Sequence, residues 1–286
     1  MKKLTVISGK GGTGKTTITS NLAALADNIV LADCDVDAPN MHILIKPEVK
    51  KDEIFKGGKL VIKDESKCID CGICEEVCKF GAITKDFEVE ALKCEGCGVC
   101  VAMCPEDALY LEEAVTGNLY YSESRFGPVV HARLKAGAEN SGKLVSEVRE
   151  RADKIAKEEE RDLVLIDGSP GIGCPVIASL NGVDASLIVT EPTQSGISDL
   201  KRVVGVVKHF NIKAMLVINK YDLNLNKSKE IEDFCQKEDI KIMGKVPFSS
   251  IMVDALRETE LVVEYKPDSE LSQAINKIWE NVKEFI

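Results

Sequence analysis

The sequence predicts an α/β protein, with a doubly wound and mostly parallel sheet into which a small α+β domain is inserted. Three observations support this fold class. Short apolar runs alternate with helical patterns along most of the chain, the alternation fails once between about residues 41 and 135, and eight of the eleven cysteines fall inside that interval. Strands that alternate with helices build parallel sheets whose ligand sites lie at the carboxyl ends of the strands.

The predicted strands are almost continuously hydrophobic, as expected for strands that are buried on both faces of a sheet. They cover residues 4–8, 28–33, 162–167, 185–190, 214–219 and 240–247. The predicted helices cover residues 14–26, 140–158, 196–210, 227–238, 249–259 and 269–285. The last helix has an apolar stripe and mixes Lys with Glu, which favours packing on the core over binding to a membrane surface.

The interruption of this alternation predicts two domains. We assign residues 1–57 and 116–286 to one discontinuous α/β domain, and residues 58–115 to an inserted domain. The stretch TGNLYYSESRFGP after the cysteines predicts a hairpin that returns to the sheet.

The charge of the chain argues against several classes of protein. Its formal net charge is −10, and residues 58–115 alone hold 6 Lys/Arg and 13 Asp/Glu, a balance of −7. A general nucleic-acid binder needs Lys and Arg to neutralise phosphates, so we expect no nucleic acid among the partners. The sequence contains no run of 18 apolar residues and no signal-peptide pattern, so we expect a cytoplasmic protein without membrane attachment.

The cysteines in the interval form two runs with the spacing C-x2-C-x2-C-x3-C. In such runs the first three thiolates bind one [4Fe–4S] cluster, and the fourth ligates the other cluster. The spacing therefore assigns two ligand sets, which are Cys68, Cys71, Cys74 and Cys104 for one cluster, and Cys94, Cys97, Cys100 and Cys78 for the other. Zinc, which is typically bound by two separated C-x2-C pairs, is the alternative.

Residues 58–115 thereby resemble a bacterial two-cluster ferredoxin. Pro105 follows the fourth cysteine of the second run, as the resemblance implies, whereas Lys79 stands at that place in the first run. This departure leaves the thiolates unchanged.

The residues SGKGGTGKTT at 8–17 contain the phosphate-loop pattern G-x-x-x-x-G-K-[ST] between a predicted strand and a predicted helix. The pattern predicts that main-chain N–H groups wrap the phosphates of a nucleotide, that Lys15 contacts the β- and γ-phosphates, and that the Thr16 hydroxyl ligates Mg²⁺. The predicted nucleotide-binding residues of the loop are Gly9, Gly11, Gly12, Thr13, Gly14, Lys15, Thr16 and Thr17.

With Lys10, the loop has the form K-G-G-x-G-K-T-T, which resembles the MinD/ParA/nitrogenase-iron-protein class of P-loop ATPases with a deviant Walker A motif. The resemblance spans essentially all of the chain outside residues 58–115. It implies an ATP-dependent homodimer that hydrolyses ATP slowly, with stimulation by a partner. It also implies that Lys10 crosses to the phosphates bound by the second subunit.

The aspartates that follow two predicted strands gain roles from the same resemblance. In ADCDVDAPN, Asp35 would orient the attacking water or the magnesium shell, and Asp33 and Asp37 would lie near the metal or move with the nucleotide state. In DLVLIDGSPG, Asp167 would hold Mg²⁺ through water, and Gly168 and Gly171 would make the following segment flexible.

Three further residues are predicted to contact the base. The segment Asn219-Lys220-Tyr221-Asp222 matches N-K-x-D, which reads guanine in many GTPases. In the class that the chain resembles, the corresponding segment serves adenine, and Pro247 would line the base. ATP is therefore the predicted nucleotide, with GTP as the alternative.

Two other segments were considered for function. We assign no chemistry to TEPTQSGISDLKR at 190–202. Cys174 lies where the nitrogenase iron protein has a cluster ligand shared between subunits, but a buried structural thiol is the favoured interpretation.

Together these features predict a dimeric, Mg²⁺-dependent ATPase that carries two [4Fe–4S] clusters. Its nucleotide state would be coupled to electron transfer or to metallocluster assembly, with a redox or assembly protein as partner. One alternative is a positioning ATPase like MinD or ParA with a redox-sensing insert, and another is a ferredoxin attached to an inactive nucleotide fold.

Overall fold

The computed structural model describes residues 1–135, 137–138 and 141–286. Its strands are β1 (Lys2–Ser8), β2 (Ile29–Asp33), β3 (Glu48–Lys63), β4 (Leu109–Ser124), β5 (Gly127–Leu134), β6 (Leu163–Pro170), β7 (Ala185–Thr190), β8 (Lys213–Asn219) and β9 (Lys241–Val246). Its helices are α1 (Lys15–Leu25), α2 (Met41–Ile45), α3 (Ile73–Val77), α4 (Val99–Met103), α5 (Ser141–Glu158), α6 (Cys174–Leu180), α7 (Gln194–His209), α8 (Leu225–Lys237), α9 (Ser250–Arg257), α10 (Val262–Tyr265) and α11 (Glu270–Phe285).

The strands that the structure describes form one sheet in the order β3-β4-β5-β2-β6-β1-β7-β8-β9. From β5 to β9 every neighbouring pair is parallel, which confirms the predicted mostly parallel sheet. The strand β1 lies between β6 and β7, so Ser8, Asp33 and Asp167 come to the same edge of the sheet. This edge is where a doubly wound sheet binds its ligand.

The chain divides into two compact units. Unit 1 comprises Met1–Asp52, Leu119–Arg133 and Ser141–Ile286, and unit 2 comprises Glu53–Asn118 and Leu134–Asn140. The chain passes from one unit to the other within β3 and within β4. The assignment of residues 58–115 to a ferredoxin-like domain stays a prediction.

The six strands and six helices expected from the apolar patterns are all present in unit 1, with ends that differ by at most three residues. Residue 140, the expected start of one helix, lies outside the described residues. The expected hairpin is also present, because β4 and β5 are neighbours in the sheet and only Arg125 and Phe126 separate them.

Two features differ from the sequence analysis. The apolar patterns did not locate β3 and the first part of β4, although each of these strands contains 16 residues. In addition, β6 continues beyond Asp167 to Pro170, so Gly168 lies inside a strand and not in a flexible segment. A Cβ atom on Gly168 would lie 2.7 Å from Ile7 Cγ2, and the glycine is therefore explained by close packing.

The core of unit 1 lies between the sheet and its helices, and α11 contributes to it as expected. The apolar stripe of α11, formed by Leu271, Ile275, Ile278 and Val282, is almost completely buried. Burial of each such side chain is worth about 1.5–3 kcal/mol. In the described part of the chain, no helix combines the length and the hydropathy that a bilayer crossing requires.

Unit 2 contains two similar halves, because its cysteine runs repeat from Cys68 to Cys94. The short helices α3 and α4 occupy the same place in the two halves, and each begins after a glycine with positive φ, namely Gly72 at 79° and Gly98 at 77°. Main-chain bonds repeat as well, since Asp64 N–H donates to the Ala108 carbonyl and Glu90 N–H donates to the Ala82 carbonyl, both over 2.7 Å.

The apolar core of unit 2 is small. Among its described residues the buried cluster consists of Val61, Ile83, Cys100 and Leu109, with other cysteines of the two runs packed against it. Units of this size usually need a further source of stability, such as disulfides or bound metal. The cysteines of the two runs are free thiols, so disulfides do not supply that stability.

Candidate functional sites

The phosphate loop connects β1 to α1, as the sequence predicts. Gly12 and Gly14 have φ values of 80° and 90°, in the left-handed region that favours glycine. A Cβ atom on Gly14 would lie 2.3 Å from Asn219 Nδ2, so a larger residue at this position collides with a group that supports the loop. The Asn219 amide donates to the Thr13 carbonyl over 2.7 Å and fixes the loop to the end of β8.

Lys15 lies at the centre of an ion cluster at the carboxyl edge of the sheet. Its Nζ is 2.8 Å from Asp167 Oδ1 and 3.7 Å from Asp35 Oδ2. Burial alone would lower the pKa of Lys15, but the nearby Asp167 and Asp35 carboxylates outweigh it and the net shift is upward. The ammonium therefore stays charged, as phosphate binding requires.

The three aspartates around Lys15 carry more negative charge than one ammonium can balance. Asp33 is 1% exposed, and its Oδ2 atom has no hydrogen-bond partner among the described residues. Burial, and then the charge of Asp167, raise the pKa of Asp33 to about 8. Burial likewise raises the pKa of Asp35, although Lys15 opposes that shift. An orphaned carboxylate oxygen in such a place fits the outer shell of a divalent cation.

Thr16 is placed to act as a ligand of that cation. Its hydroxyl donates to Asp167 Oδ2 over 2.7 Å, and the Thr19 hydroxyl donates to Asp167 Oδ1 over 2.9 Å. Within the described residues, no three His, Cys, Asp or Glu side chains are grouped closely enough to hold a metal ion without other ligands. Mg²⁺ usually keeps several waters and takes phosphate oxygens as ligands, so it needs few ligands from the protein.

A cleft of about 780 Å³ opens beside the loop in unit 1. This volume suits a nucleotide-sized ligand. One wall carries the loop residues from Gly11 to Ile18, together with Asp35 and Asp37. The opposite wall is largely apolar and is lined by Val246, Pro247, Phe248, Met252, Val253 and Leu256.

Of the three residues predicted to contact the base, two line the cleft and one does not. Asn219 and Pro247 line the cleft, whereas Asp222 is not among the described residues that line it. Asp222 Oδ1 instead accepts the Phe248 N–H over 2.7 Å and holds the segment that carries the apolar wall. Asp222 therefore supports the apolar wall of the cleft through Phe248.

Lys10 is not among the described residues that line the cleft. Its Nζ lies 2.8 Å from Glu191 Oε1, donates to Ser195 Oγ over 2.9 Å and lies 3.5 Å from Thr193 Oγ1. Glu191 is also 3.2 Å from Lys220 Nζ. Burial would raise the pKa of Glu191, but hydrogen bonds from Lys10 and Lys220 outweigh it and lower the pKa.

Glu191 belongs to the segment to which sequence reasoning assigned no chemistry. One feature of the sequence could have identified Glu191. It is a carboxylate that directly follows Thr190, the last residue of β7, at the edge of the sheet where the phosphate loop also lies. No local pattern identifies its partners, because Lys10 and Glu191 are 181 residues apart in the chain.

The eight clustered cysteines line two cavities in unit 2. The first cavity is lined by Cys68, Cys71, Cys74 and Cys104, and the second by Cys78, Cys94, Cys97 and Cys100. In each group the fourth cysteine of one run joins the first three of the other. The structure thus brings together the two sets of thiols that the spacing predicts.

The surroundings of these cavities suit a thiolate-bound group. Ala82 N–H donates to Cys78 Sγ and Ala108 N–H donates to Cys104 Sγ, each over 3.3 Å. Burial would raise the pKa of Cys78, but main-chain N–H groups outweigh it and lower that pKa. The four sulfurs around one Zn²⁺ ion would each lie about 2.3 Å from the metal. Each cavity brings four thiols together, which is the number of ligands that both a zinc ion and a [4Fe–4S] cluster take from cysteines.

The three other cysteines do not join these groups. Cys174 is exposed at the start of α6, so the expectation of a buried structural thiol at this position was wrong. Cys34 and Cys235 are buried, and burial raises the pKa of both thiols, that of Cys235 to about 12. Thiols of this kind are inert packing residues at neutral pH.

Comparisons with known proteins agree with the nucleotide-binding fold. Residues 4–262 match the family model described as the CobQ/CobB/MinD/ParA nucleotide binding domain. An uncharacterised protein of Methanocaldococcus jannaschii is 35% identical over 289 residues, which cover 99% of this chain and 97% of the relative. An iron-sulfur cluster carrier protein of Pyrococcus horikoshii is 26% identical over 263 residues, which cover 86% of this chain and 73% of the carrier.

A solved structure shares the fold. The septum site-determining protein MinD of Pyrococcus horikoshii, in complex with Mg-ADP, superimposes with a TM-score of 0.62 at 19% sequence identity. The match covers 99% of this chain and 96% of the MinD chain. Together with the phosphate loop and the ion cluster around Lys15, these matches show that the chain belongs to the CobQ/CobB/MinD/ParA family and is a P-loop ATPase.

Proposed function

We propose that this ATPase is a Mg²⁺-dependent, dimeric switch that carries two [4Fe–4S] clusters, one on each group of four cysteines. The observation that carries the proposal is the crosswise grouping of the thiols around two cavities, Cys104 with the first run and Cys78 with the second. When bound, such clusters supply one-electron redox chemistry.

In the ATPase part of the proposal, each residue has a defined task. The loop from Gly9 to Thr17 binds the phosphates, with Lys15 on the β- and γ-phosphates. Thr16 and Asp167 hold Mg²⁺, and Asp35 orients the attacking water. Lys10 acts on the nucleotide bound by the second subunit, and its absence from the lining of its own cleft supports that task.

We further propose that the nucleotide state controls which protein the clusters can reach. The segment from Asp33 to Asn40 contains two of the carboxylates near Lys15, and the chain then leads through α2 and β3 into unit 2. A partner would be a redox protein or a metallocluster-assembly protein. Similarity to the iron-sulfur carrier of Pyrococcus horikoshii supports the assembly role.

Anaerobic purification followed by metal analysis and EPR tests the proposal. We expect about eight iron atoms and eight sulfides per chain, and an EPR signal of the reduced protein that changes when Mg-ATP is added. Protein that holds zinc, or no metal, on these cysteines would contradict it. Transfer of a cluster to an apo-acceptor with ATP would favour assembly, whereas reduction without transfer would favour electron transfer.

The second candidate function is a positioning ATPase like MinD or ParA, with the cysteine module as a redox sensor. The comparisons give this alternative more support than they give electron transfer, because the matched family model and solved structure are of the MinD class. The net charge of −10 and the buried stripe of α11 argue against binding to DNA or lipid. ATP-dependent sedimentation with anionic vesicles or retention on DNA would favour this function, and the absence of both would argue against it.

A further inference from the structure

The residues around Lys10 form a cradle that belongs to a single chain. Glu191, Thr193 and Ser195 follow β7 within five residues, and all three lie within hydrogen-bonding or ion-pair distance of the Lys10 ammonium. The side chain of Glu191 is 14% exposed and that of Lys10 is 30% exposed, so solvent screens this pair only in part. In the proposed function Lys10 reaches the second subunit, but in this structure it is bound by residues of its own subunit.

Glu191 has two ammonium partners, Lys10 at 2.8 Å and Lys220 at 3.2 Å. A largely buried carboxylate that loses its only partner is strongly destabilised. Because Lys220 stays beside it, Glu191 keeps one ion pair when Lys10 moves away. Lys10 can therefore move away while the Glu191 carboxylate remains paired with Lys220.

We infer that Glu191 is a positioning residue that retains Lys10 within its own subunit and opposes dimerisation until a triphosphate is present. The inference rests on the proposed function, in which Lys10 reaches the phosphates of a second copy of this chain. The phosphates of ATP carry more negative charge than the single Glu191 carboxylate, and ADP lacks the γ-phosphate. Competition for Lys10 would thus make the dimer selective for the triphosphate state.

The test is the dimer dissociation constant of the full chain, measured by sedimentation velocity with Mg²⁺ and a slowly hydrolysed ATP analogue. Glu191→Gln keeps the shape of the side chain and removes its charge. Two copies of Lys10 are released per dimer, so we expect the dimer dissociation constant of Glu191→Gln to fall roughly tenfold. A change of this size matches the small free energy of partly exposed ion pairs. Ser195→Ala removes a neutral partner of Lys10 and should give a smaller shift in the same direction.

Glu238→Gln is the matched control, because Glu238 also pairs with a lysine, Lys208 at 2.7 Å, but lies away from the cleft. It should leave the dimer dissociation constant unchanged. A second measurement follows Lys10 directly, through the rate at which an amine-reactive acetylating reagent labels it, read by mass spectrometry. Labelling of Lys10 in the monomer should be faster in Glu191→Gln than in the wild type and in Glu238→Gln.

The outcomes separate the inference from the proposed function. A wild-type chain that dimerises with the ATP analogue, while Glu191→Gln dimerises equally or more weakly, would overturn the inference alone. Unchanged labelling of Lys10 would also overturn it. A wild-type chain that remains monomeric at saturating Mg-ATP would overturn both the proposed dimer and the inference.

Discussion

The side-chain amide of Asn219 donates a hydrogen bond of 2.7 Å to the main-chain carbonyl of Thr13, and so joins the end of β8 to the phosphate loop. The same side chain accepts the Lys220 N–H through Oδ1 over 3.0 Å. Asn219 is therefore engaged on both sides by protein groups while it lines the cleft. Its main task is to shape the loop, whichever base is bound.

Replacement of this side chain should weaken nucleotide binding. In Asn219→Ala the buried Thr13 carbonyl loses its partner, and we expect the affinity for Mg-ATP to fall roughly tenfold, as for other unsatisfied buried groups. Isothermal titration calorimetry measures the change. Asn281→Ala is the control, since Asn281 makes a bond of the same kind to the Met243 carbonyl over 2.7 Å. Equal losses in both variants would refute a specific role in the loop.

Replacement of Asp33 should stabilise the metal-free protein and impair its response to Mg²⁺. The folded-state pKa of Asp33 is about 8, above the usual value near 4, so its contribution to stability falls as pH rises between these values. At pH 7.5 in EDTA, Asp33→Asn removes this penalty, and we expect Tm to rise by about 5 °C.

The same Asp33→Asn variant should show a smaller increase of Tm than the wild type when Mg-ATP is added. Differential scanning fluorimetry measures both effects. A lower Tm for the metal-free variant would show that Asp33 has a stabilising role that the ion cluster does not explain.

His131 should make the stability of unit 1 dependent on pH. Burial, followed by the charge of His42, lowers the pKa of His131 to about 4, and its Nε2 lies 2.8 Å from the Ser122 hydroxyl. The unfolded chain binds a proton near pH 6.5, so stability is lost as pH falls from about 6.5 towards 4.

Between pH 7 and pH 5 the wild type should lose about 2 kcal/mol more than His131→Gln. Urea unfolding at both pH values measures this difference. His209→Gln serves as the control, since it replaces a histidine at the end of α7. Parallel pH profiles for wild type and His131→Gln would contradict the prediction.

The two cysteine cavities differ at equivalent positions of the repeat. Lys63, whose side chain is 8% exposed, lines the first cavity, and Val89 lines the second. Reduction adds negative charge to a cluster, which a nearby ammonium favours. With both clusters present, Lys63→Met should lower the reduction potential of one cluster by tens of millivolts, on a scale where 59 mV is a tenfold change.

An EPR-monitored redox titration distinguishes the two clusters. Val89→Lys is the reciprocal variant and should raise the potential of the other cluster. The pair Lys63–Glu65 at 2.9 Å reduces the size of the first effect but leaves its direction unchanged. Potentials that remain equal to those of the wild type in both variants would contradict the prediction.

Sequence patterns predicted most of unit 1, because its strands are buried on both faces and its helices are amphipathic. They missed β3 and the first part of β4. Charged residues such as Lys50, Lys51 and Asp52 give the start of β3 no apolar period, and its conformation depends on pairing with β4. The phosphate loop and the two groups of cysteines could be predicted because each is defined by the spacing of residues that are close together in the sequence.

The parts of the site that escaped prediction depend on contacts between distant segments. Glu191 meets Lys10 only because β7 lies next to β1 in the sheet. Gly168 was read as a hinge because glycine has two common uses, and only the closeness of Ile7 identifies the packing role. Asp222 matched a base-reading motif, but its bond to the Phe248 N–H arises from the loop that follows β9.

The central position of β1 between β6 and β7 has a consequence for biosynthesis. The strand β1 obtains both of its sheet neighbours only after Thr190 has been made, so the phosphate loop that follows β1 lacks its support until then. By then all eight clustered cysteines have been made. In the nascent chain, the cysteine-rich segment is therefore complete before the phosphate loop has its support.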